Sequence, residues 1–282
     1  MIVETFRLAA HDPRLAQNGA DPKVTMYLQE DIEESDCKGM LRVTPRPSLI
    51  ICPGGGYRHV GKREGEPIAL AFMPLGFNCF ILDYSVMPHT YPQALLEISS
   101  LIELMYQNAE KWNLDTGKIV LCGFSAGGHL VGSYCTMRNR PEIQEAYPLR
   151  SVAGAILGYS VVTADPAVGH MGSFGNLTGH TLESAAEINR FSLDTNVDKS
   201  ITPPTFIWHS FTDRTVSVLN SLAYGAALKK ADIPFEMHIF PSGRHGLGTA
   251  DRQCVHDHQE ADNQYVSQWI PLAQGWLKEY IL

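Results

Sequence analysis

Residues 118–130, KIVLCGFSAGGHL, constrain the fold of this chain more than any other segment. A short apolar run leads into Gly-x-Ser-x-Gly around Ser125, and residues able to begin a helix follow. A serine in such a strand-turn-helix unit occupies a sharp turn that exposes its Oγ. Gly123 and Gly127 lack a Cβ, so strand and helix can approach each other closely. The segment therefore predicts a nucleophilic serine at the end of a buried strand, with a purely structural glycine turn as the alternative.

Length and composition predict a soluble enzyme built as one domain over residues 1–282. The chain has 282 residues, 44% of them hydrophobic and 18% charged, which is enough to bury a sizeable core. The net charge of −8 and the scattered Lys and Arg argue against nucleic-acid binding. No apolar run approaches the ~20 residues of a membrane span, and residues 1–15 do not resemble a signal peptide. The expected partner is a small molecule, not a membrane or a nucleic acid.

The cysteines favour a reducing compartment. Six are present, and Cys52, Cys79 and Cys122 fall within predicted core strands. Buried free thiols explain that placement better than disulfides do. The sequence therefore predicts a cytoplasmic protein, and it leaves open whether the chain forms a homo-oligomer.

Alternation of apolar runs with helical patterns predicts an α/β fold with a mostly parallel sheet and helices on both faces. The predicted strands lie at 48–52, 77–85, 118–122, 151–158, 205–210 and 234–240, and the predicted helices at 64–76, 91–112, 218–231 and 271–282, with one more after Ser125.

Two segments depart from this alternation. Thr5–Leu8 and Val24–Leu28 alternate in polarity and predict an antiparallel pair at one edge of the sheet. Residues 160–202 are rich in Gly, Asn, Thr and Asp, with one short helical pattern near Leu182–Arg190. A long irregular insertion of this kind is usually functional or disordered. We expect a small cap over the pocket, with a solvated surface loop as the alternative.

Ser125 needs a general base and a group that orients the base. In a fold with this serine turn, the partners follow in the order Ser, acid, His. Asp213 comes just after a predicted strand, and His245 lies in a Gly-rich loop after the last strand. Both should converge above the carboxyl ends of the parallel strands. The rival acids fit this order less well; they are Asp83, Asp194, Asp198, Asp251 and Asp257.

Three consecutive glycines, Gly54–Gly56, follow the first parallel strand in ICPGGGYRHV. Backbone amides of such a loop can point into the site and stabilise an oxyanion. We assign the oxyanion hole to Gly55, Gly56 and Ala126, the residue after the nucleophile, with simple turn formation as the alternative. The loop lacks the sequence of a phosphate-binding loop. Tyr57 and Arg58 follow it directly and are candidate substrate-binding residues.

Other motifs carry less weight. Cys254, His256 and His258 alternate near Asp257 and Glu260, but this spacing does not match usual zinc sites, so no metal is predicted. His129 and His209 are better explained by core packing than by a role near the site. The glutamates within residues 63–69 should favour a helix N-terminus.

Taken together, CPGGGY, REGEPIAL, GFSAGGHL, TPPTFIWHSFTD and FPSGRHGLG resemble one branch of the α/β-hydrolase esterases. That branch is similar to acetyl esterases and hormone-sensitive-lipase-like enzymes, whose members are called esterases, lipases, sugar hydrolases or xylan acetylesterases. The resemblance runs from about residue 48 to the C-terminus. It implies an eight-stranded α/β-hydrolase sheet, the triad Ser125, Asp213 and His245, and an oxyanion hole at Gly55, Gly56 and Ala126. The lipase-like relatives carry His before the three glycines where this chain has Pro53, so their substrate preference does not transfer.

The leading hypothesis is a serine carboxylesterase that hydrolyses small, acetyl-type esters, including those of acetylated sugars, without a cofactor. A serine peptidase or amidase using the same triad is the enzymatic alternative. A non-catalytic binding protein that has kept the fold is the alternative from another class.

Overall fold

The computed structural model describes residues 1–30, 45–254 and 263–282. Its eight strands are β1 (Ile2–Arg7), β2 (Lys23–Leu28), β3 (Arg46–Cys52), β4 (Asn78–Asp83), β5 (Leu114–Phe124), β6 (Gly154–Gly158), β7 (Thr205–Ser210) and β8 (Phe235–Phe240). Its α-helices are α1 (Glu66–Phe72), α2 (Gln93–Gln107), α3 (Ala126–Met137), α4 (Pro141–Gln144), α5 (Met171–Thr178), α6 (Ala185–Phe191), α7 (Leu219–Lys230) and α8 (Trp269–Tyr280).

The strands form one sheet in the order β1-β2-β4-β3-β5-β6-β7-β8. β2 pairs antiparallel with both β1 and β4, while every pairing from β4 through β8 is parallel. The predicted antiparallel edge and parallel body are both confirmed. Because parallel strands need a crossover between them, the helices lie on the two faces of the sheet. This is the α/β-hydrolase fold that the motifs indicate.

Side chains alternate between two cores along each central strand. In β3, Ile50 faces the layer that contains α2, α3 and α7, while Leu49 and Ile51 face the layer that contains α1 and α8. All three side chains are fully buried. Burying an aliphatic side chain of this size contributes about 1.5–3 kcal/mol. The sheet is therefore a rigid support whose parallel strands end at a common edge.

Residues 160–202 contain more helix than the sequence indicates. The predicted pattern corresponds to α6, but α5 was missed because MGSFGNLT combines two glycines with no clear apolar period. Phe174 and Leu177 of α5 are buried in the same core as α2 and α3, so packing stabilises the helix. At the other end of the chain, α8 begins at Trp269, two residues before the predicted start at Pro271.

Within the described ranges, no helix combines the length and the apolar character needed to cross a bilayer.

Candidate active site

Ser125 lies at the junction of β5 and α3 with φ 54° and ψ −120°. A non-glycine residue rarely adopts this left-handed conformation, which costs about 1–3 kcal/mol and is common at functional turns. The neighbouring glycines make the turn feasible: a Cβ on Gly127 would lie 2.1 Å from the carbonyl oxygen of Cys52. The strained strand-turn-helix predicted from the motif is therefore present.

The structure brings Ser125, His245 and Asp213 together. His245 Nε2 lies 2.8 Å from Ser125 Oγ, and His245 Nδ1 lies 2.7 Å from Asp213 Oδ2. With Nδ1–H donating to the carboxylate, Nε2 is free to accept the serine hydroxyl hydrogen. A nucleophile, a base and an orienting acid within these distances can carry out acyl transfer.

Asp213 is held from several directions. Its Oδ1 accepts the backbone N–H groups of Thr215 (2.9 Å) and Val216 (3.0 Å). Burial alone would raise the pKa of Asp213, but hydrogen bonds from His209 and His245 outweigh it and hold that pKa well below its usual range. The carboxylate therefore stays ionised at neutral pH and can stabilise an imidazolium.

His209 is a neighbour of this acid that sequence reasoning assigned to core packing. It is fully buried, with Nε2 3.4 Å from Asp213 Oδ2 and 3.0 Å from the carbonyl oxygen of Val216. Its Nδ1 lies 2.7 Å from Ser221 Oγ. In the sequence, the signal for this contact was the spacing of His209 and Asp213, which lie four residues apart across the end of β7.

The rival acids lie elsewhere or outside the described residues. Asp83 pairs with Lys23, Asp198 accepts from Ser200, and Asp251 accepts from Thr249. Burial raises the pKa of Asp194, which belongs to a short 3-10 helix. In the parts of the chain that the structure covers, Asp213 is the carboxylate bonded to His245. Asp257 lies outside those parts.

The glycine loop after β3 lies against Ser125. A Cβ on Gly54 would lie 2.9 Å from Ser125 Cβ, and a Cβ on Gly55, which has φ 140°, would lie 2.0 Å from the carbonyl oxygen of His59. Only glycine fits such a backbone. The N–H groups of Gly55, Gly56 and Ala126 have no acceptor among the described residues.

Glu64 anchors this loop, although the sequence placed it at the start of a helix. Helix α1 begins two residues later, and the Glu64 side chain is buried with Oε2 2.6 Å from the backbone nitrogen of Gly54. Its Oε1 accepts the hydroxyl hydrogen of Tyr159 at 2.6 Å. No local pattern in the sequence pointed to these contacts.

A cavity of about 480 Å³ opens at Ser125. The described residues that line it are glycines or have polar side chains, and none of them is aliphatic or carries a phenyl or indole ring. They are Gly54–Gly56, Arg58, His59, Gly61, Arg63, Glu64, Ser125, His170, Gly172, Asn176, Thr215, His245 and Gly246. His170 and Asn176 come from the 160–202 insertion, and Asn176 Nδ2 donates to the carbonyl oxygen of Gly56 at 2.8 Å. The insertion therefore contributes to the cavity wall.

The two candidate substrate-binding residues have different positions. Arg58 is exposed and lines the cavity. Tyr57 does not line it, because its backbone has φ 55° and its side chain is only 3% exposed. The Tyr57 hydroxyl lies 2.9 Å from Nδ1 of His129, whose Nε2 lies 2.8 Å from the carbonyl oxygen of Phe191. His129 is thus a buried packing residue, as expected. The Tyr57 side chain packs in the core against His129 instead of lining the cavity.

The suggested metal cluster is only partly covered by the structure. Cys254 is buried, with Sγ 3.2 Å from the carbonyl oxygen of Arg63. His256, His258, Asp257 and Glu260 lie outside the described residues.

Comparison with known proteins gives the family. The BD-FAE family model matches residues 41–228. Endo-1,4-beta-xylanase B of Butyrivibrio fibrisolvens is 35% identical over 247 residues, covering 84% of this chain and 36% of that protein. Acetylxylan esterase of Xylanibacter ruminicola is 29% identical over 216 residues, covering 74% of this chain and 43% of that protein. The chain thus spans less than half the length of these curated relatives.

A solved structure extends the similarity over the whole chain. The acetyl ester-xyloside bifunctional hydrolase from Caldicellulosiruptor lactoaceticus has a TM-score of 0.81 and 31% sequence identity, covering 98% of this chain and 96% of that one. The resemblance to α/β-hydrolase esterases seen in the motifs is therefore confirmed, and the chain belongs to the BD-FAE family.

Proposed function

We propose that this protein is a serine carboxylesterase that removes acetyl groups from small esters, with acetylated sugars as its substrate class. The observation that carries the proposal is the hydrogen-bonded relay Ser125–His245–Asp213, which opens into a cavity lined by glycines and residues with polar side chains. The names of the bacterial relatives, one an acetylxylan esterase and one an acetyl ester-xyloside hydrolase, support the same class.

In the proposed mechanism, His245 Nε2 takes the hydroxyl proton as Ser125 Oγ attacks the ester carbonyl carbon. Asp213 holds the imidazole through Nδ1–H and stabilises its cation. The tetrahedral intermediate collapses, its C–O bond to the alcohol breaks, and His245 protonates the leaving alcohol. Water, activated by the same His245, then hydrolyses the acyl-enzyme and releases the carboxylic acid.

The oxyanion is assigned to the backbone N–H groups of Gly55, Gly56 and Ala126. These groups are unpaired among the described residues and belong to segments that adjoin Ser125. Prearranged donors stabilise the transition state without reorganising, because they are already directed at the developing charge.

The cavity lining favours a short acyl group and a polar alcohol. A long acyl chain needs an apolar wall, whereas Arg58, Arg63 and Asn176 supply polar groups for sugar hydroxyls. Residues 160–202 would act as the cap within a single domain over residues 1–282. A cytoplasmic location is supported by the free thiols of Cys52, Cys79, Cys122, Cys135 and Cys254.

Two other reactions are less well supported. Glycoside hydrolysis uses two carboxylates flanking the bond. Among the described lining residues Glu64 is the one carboxylate, and backbone and tyrosine donors already occupy it. A peptidase would use the same relay, so substrate profiling must separate amides from esters.

The decisive experiment measures kcat/KM on p-nitrophenyl acetate through decanoate, on peracetylated xylose, on a p-nitrophenyl xyloside and on an acyl p-nitroanilide. We expect acetate to be the fastest acyl group, acetate release from the sugar, and a loss of about 10⁴-fold or more in Ser125→Ala. Ser133→Ala is the matched control, since Ser133 is a buried serine on α3, the helix that Ser125 precedes. Equal ester hydrolysis by wild type and Ser125→Ala would refute the mechanism.

A further inference from the structure

We infer that Glu64 is a positioning residue that couples the oxyanion loop to the loop carrying His245. The inference rests on the proposed serine esterase mechanism and assigns a role to a buried carboxylate which that mechanism does not use. Glu64 directly contacts two separate segments, the glycine loop and the residue after β6, and it is linked through Tyr159 to the loop after β8.

The first link runs to the glycine loop. Glu64 Oε2 accepts the N–H of Gly54 at 2.6 Å, and a Cβ on Gly54 would lie 2.9 Å from both Glu64 Oε2 and Ser125 Cβ. The loop closes on itself because the carbonyl oxygen of Gly54 accepts the N–H of Gly61 at 2.8 Å. Glu64 therefore fixes the Pro53–Gly54 peptide unit, while the bond from Gly61 fixes the next unit, which carries the N–H of Gly55.

The second link runs through Tyr159 to the histidine loop. The Tyr159 hydroxyl donates to Glu64 Oε1 at 2.6 Å and accepts the N–H of Gly248 at 3.0 Å. Its ring packs edge-on against the imidazole of His245, with the centroids 5.0 Å apart. Burial and the adjacent Glu64 carboxylate raise the pKa of Tyr159 well above its usual value, so the hydroxyl keeps its proton and its direction of donation.

Chemistry explains why a carboxylate is needed here. A buried carboxylate is costly unless donors satisfy both oxygens, and here each oxygen receives one short hydrogen bond from a different element. Charge-assisted bonds of this kind are shorter and stronger than those of a neutral amide. A glutamine would direct its NH₂ group at one of these two donors. Facing the Gly54 N–H, it would place one donor against another. Facing the Tyr159 hydroxyl, it would donate to that oxygen, so the direction of the hydrogen bond between residue 64 and Tyr159 would be reversed.

The test compares Glu64→Gln with Glu66→Gln, since Glu66 is an exposed glutamate two residues away on α1. For Glu64→Gln we expect kcat/KM for p-nitrophenyl acetate to fall about 10- to 100-fold, mostly in kcat. The affinity of a trifluoromethyl ketone, whose adduct with Ser125 resembles the tetrahedral intermediate, should fall in parallel. Glu66→Gln should match wild type in both measurements.

The ketone affinity, measured per titrated active site, distinguishes a positioning role of Glu64 from a loss of folded protein. Partial unfolding lowers the number of active sites but does not change the affinity of those that remain. Tyr159→Phe provides a second test: it keeps the Gly54 bond, removes the link to Gly248, and should lose about 10-fold in kcat.

A Glu64→Gln protein with kcat and ketone affinity within about twofold of wild type, alongside an inactive Ser125→Ala, would overturn the inference and leave the esterase mechanism standing. If Ser125→Ala is as active as wild type, the mechanism itself fails.

Discussion

His209 lies behind Asp213, with its Nε2 3.4 Å from the same Oδ2 that accepts the hydrogen bond of His245. The acid therefore sits between two imidazoles, one fully buried and one facing the cavity. The buried histidine is fixed at its other nitrogen by Ser221 Oγ at 2.7 Å. His209 therefore restrains the same oxygen of Asp213 that accepts the hydrogen bond of His245.

We expect His209→Phe to lower kcat/KM about 10-fold, because the carboxylate loses a donor and can rotate away from His245. Steady-state kinetics normalised by active-site titration would measure the loss. His238→Phe is the matched control, since His238 lies on the neighbouring strand β8 and, among the residues that the structure describes, its side chain hydrogen-bonds to Glu236. Equal activity of the two variants would show that His209 serves packing alone.

Gly55 is the glycine of the loop that tolerates substitution least. A Cβ there would lie 2.0 Å from the His59 carbonyl oxygen at φ 140°, so Gly55→Ala must displace the backbone of the oxyanion loop. We expect kcat to fall about 10²- to 10³-fold, the loss typical of removing one oxyanion donor. Gly76 also has a positive φ, of 92°, but a Cβ there would meet no atom within 4 Å. The kcat of Gly76→Ala should therefore stay near that of the wild type. A Gly55→Ala enzyme with wild-type kcat would exclude this loop from the oxyanion hole.

Arg58 should contribute to recognition of the alcohol half of the substrate. Its side chain is exposed at the cavity that contains Ser125, whereas Lys62 lines a separate cavity. We expect Arg58→Gln to raise KM for an acetylated xyloside about 5- to 10-fold, which corresponds to the loss of about one ordinary hydrogen bond. The KM for p-nitrophenyl acetate should not change. Lys62→Gln is the control, and a similar rise of KM in both variants would indicate a general charge effect.

His129 should make stability depend on pH. Burial lowers the pKa of His129 to about 4 from the ordinary 6.5. Between these values the unfolded chain binds a proton that the folded protein excludes, so stability is full above pH 6.5 and falls as the pH drops toward 4. Protonation of His129 should lower the free energy of unfolding by about 3 kcal/mol in total as the pH falls from above 6.5 to below 4.

Urea denaturation at pH 7, 6, 5 and 4.5 would measure this dependence. His129→Gln should flatten the slope, although its stability at pH 7 is lower. The exposed His11 supplies the control, since His11→Gln should keep the wild-type slope. A wild-type slope in His129→Gln would assign the acid sensitivity to other groups.

Several parts of the site were predictable because they depend on local backbone geometry. The turn at Ser125 is encoded by glycines two residues on either side, and the order of Ser125, Asp213 and His245 follows from where strands end in a parallel sheet. The structure brings these three side chains within hydrogen-bond distance. Apolar runs likewise predicted the strands from β3 to β8, and alternating polarity predicted the edge strands β1 and β2, of which β1 is largely exposed.

Other features depend on residues that are distant along the chain. Glu64 has the local sequence of a helix start, yet its partners Gly54 and Tyr159, and the Gly248 N–H that bonds to Tyr159, meet only after the crossovers bring three strand ends together. Tyr57 looks exposed beside a glycine loop, but a positive φ turns its ring inward onto His129. Helix α5 has weak intrinsic propensity and forms because Phe174 and Leu177 enter the core.

The sequence by itself determined the fold class, the strained turn at Ser125 and the order in which Ser125, Asp213 and His245 follow one another, because these depend on short-range periodicity and turn chemistry. Only the tertiary structure decided which groups hold those partners in place. Burial converts Glu64 and His209 from ordinary polar residues into fixed supports, since a buried charge or imidazole must find donors and acceptors wherever the packed chain supplies them.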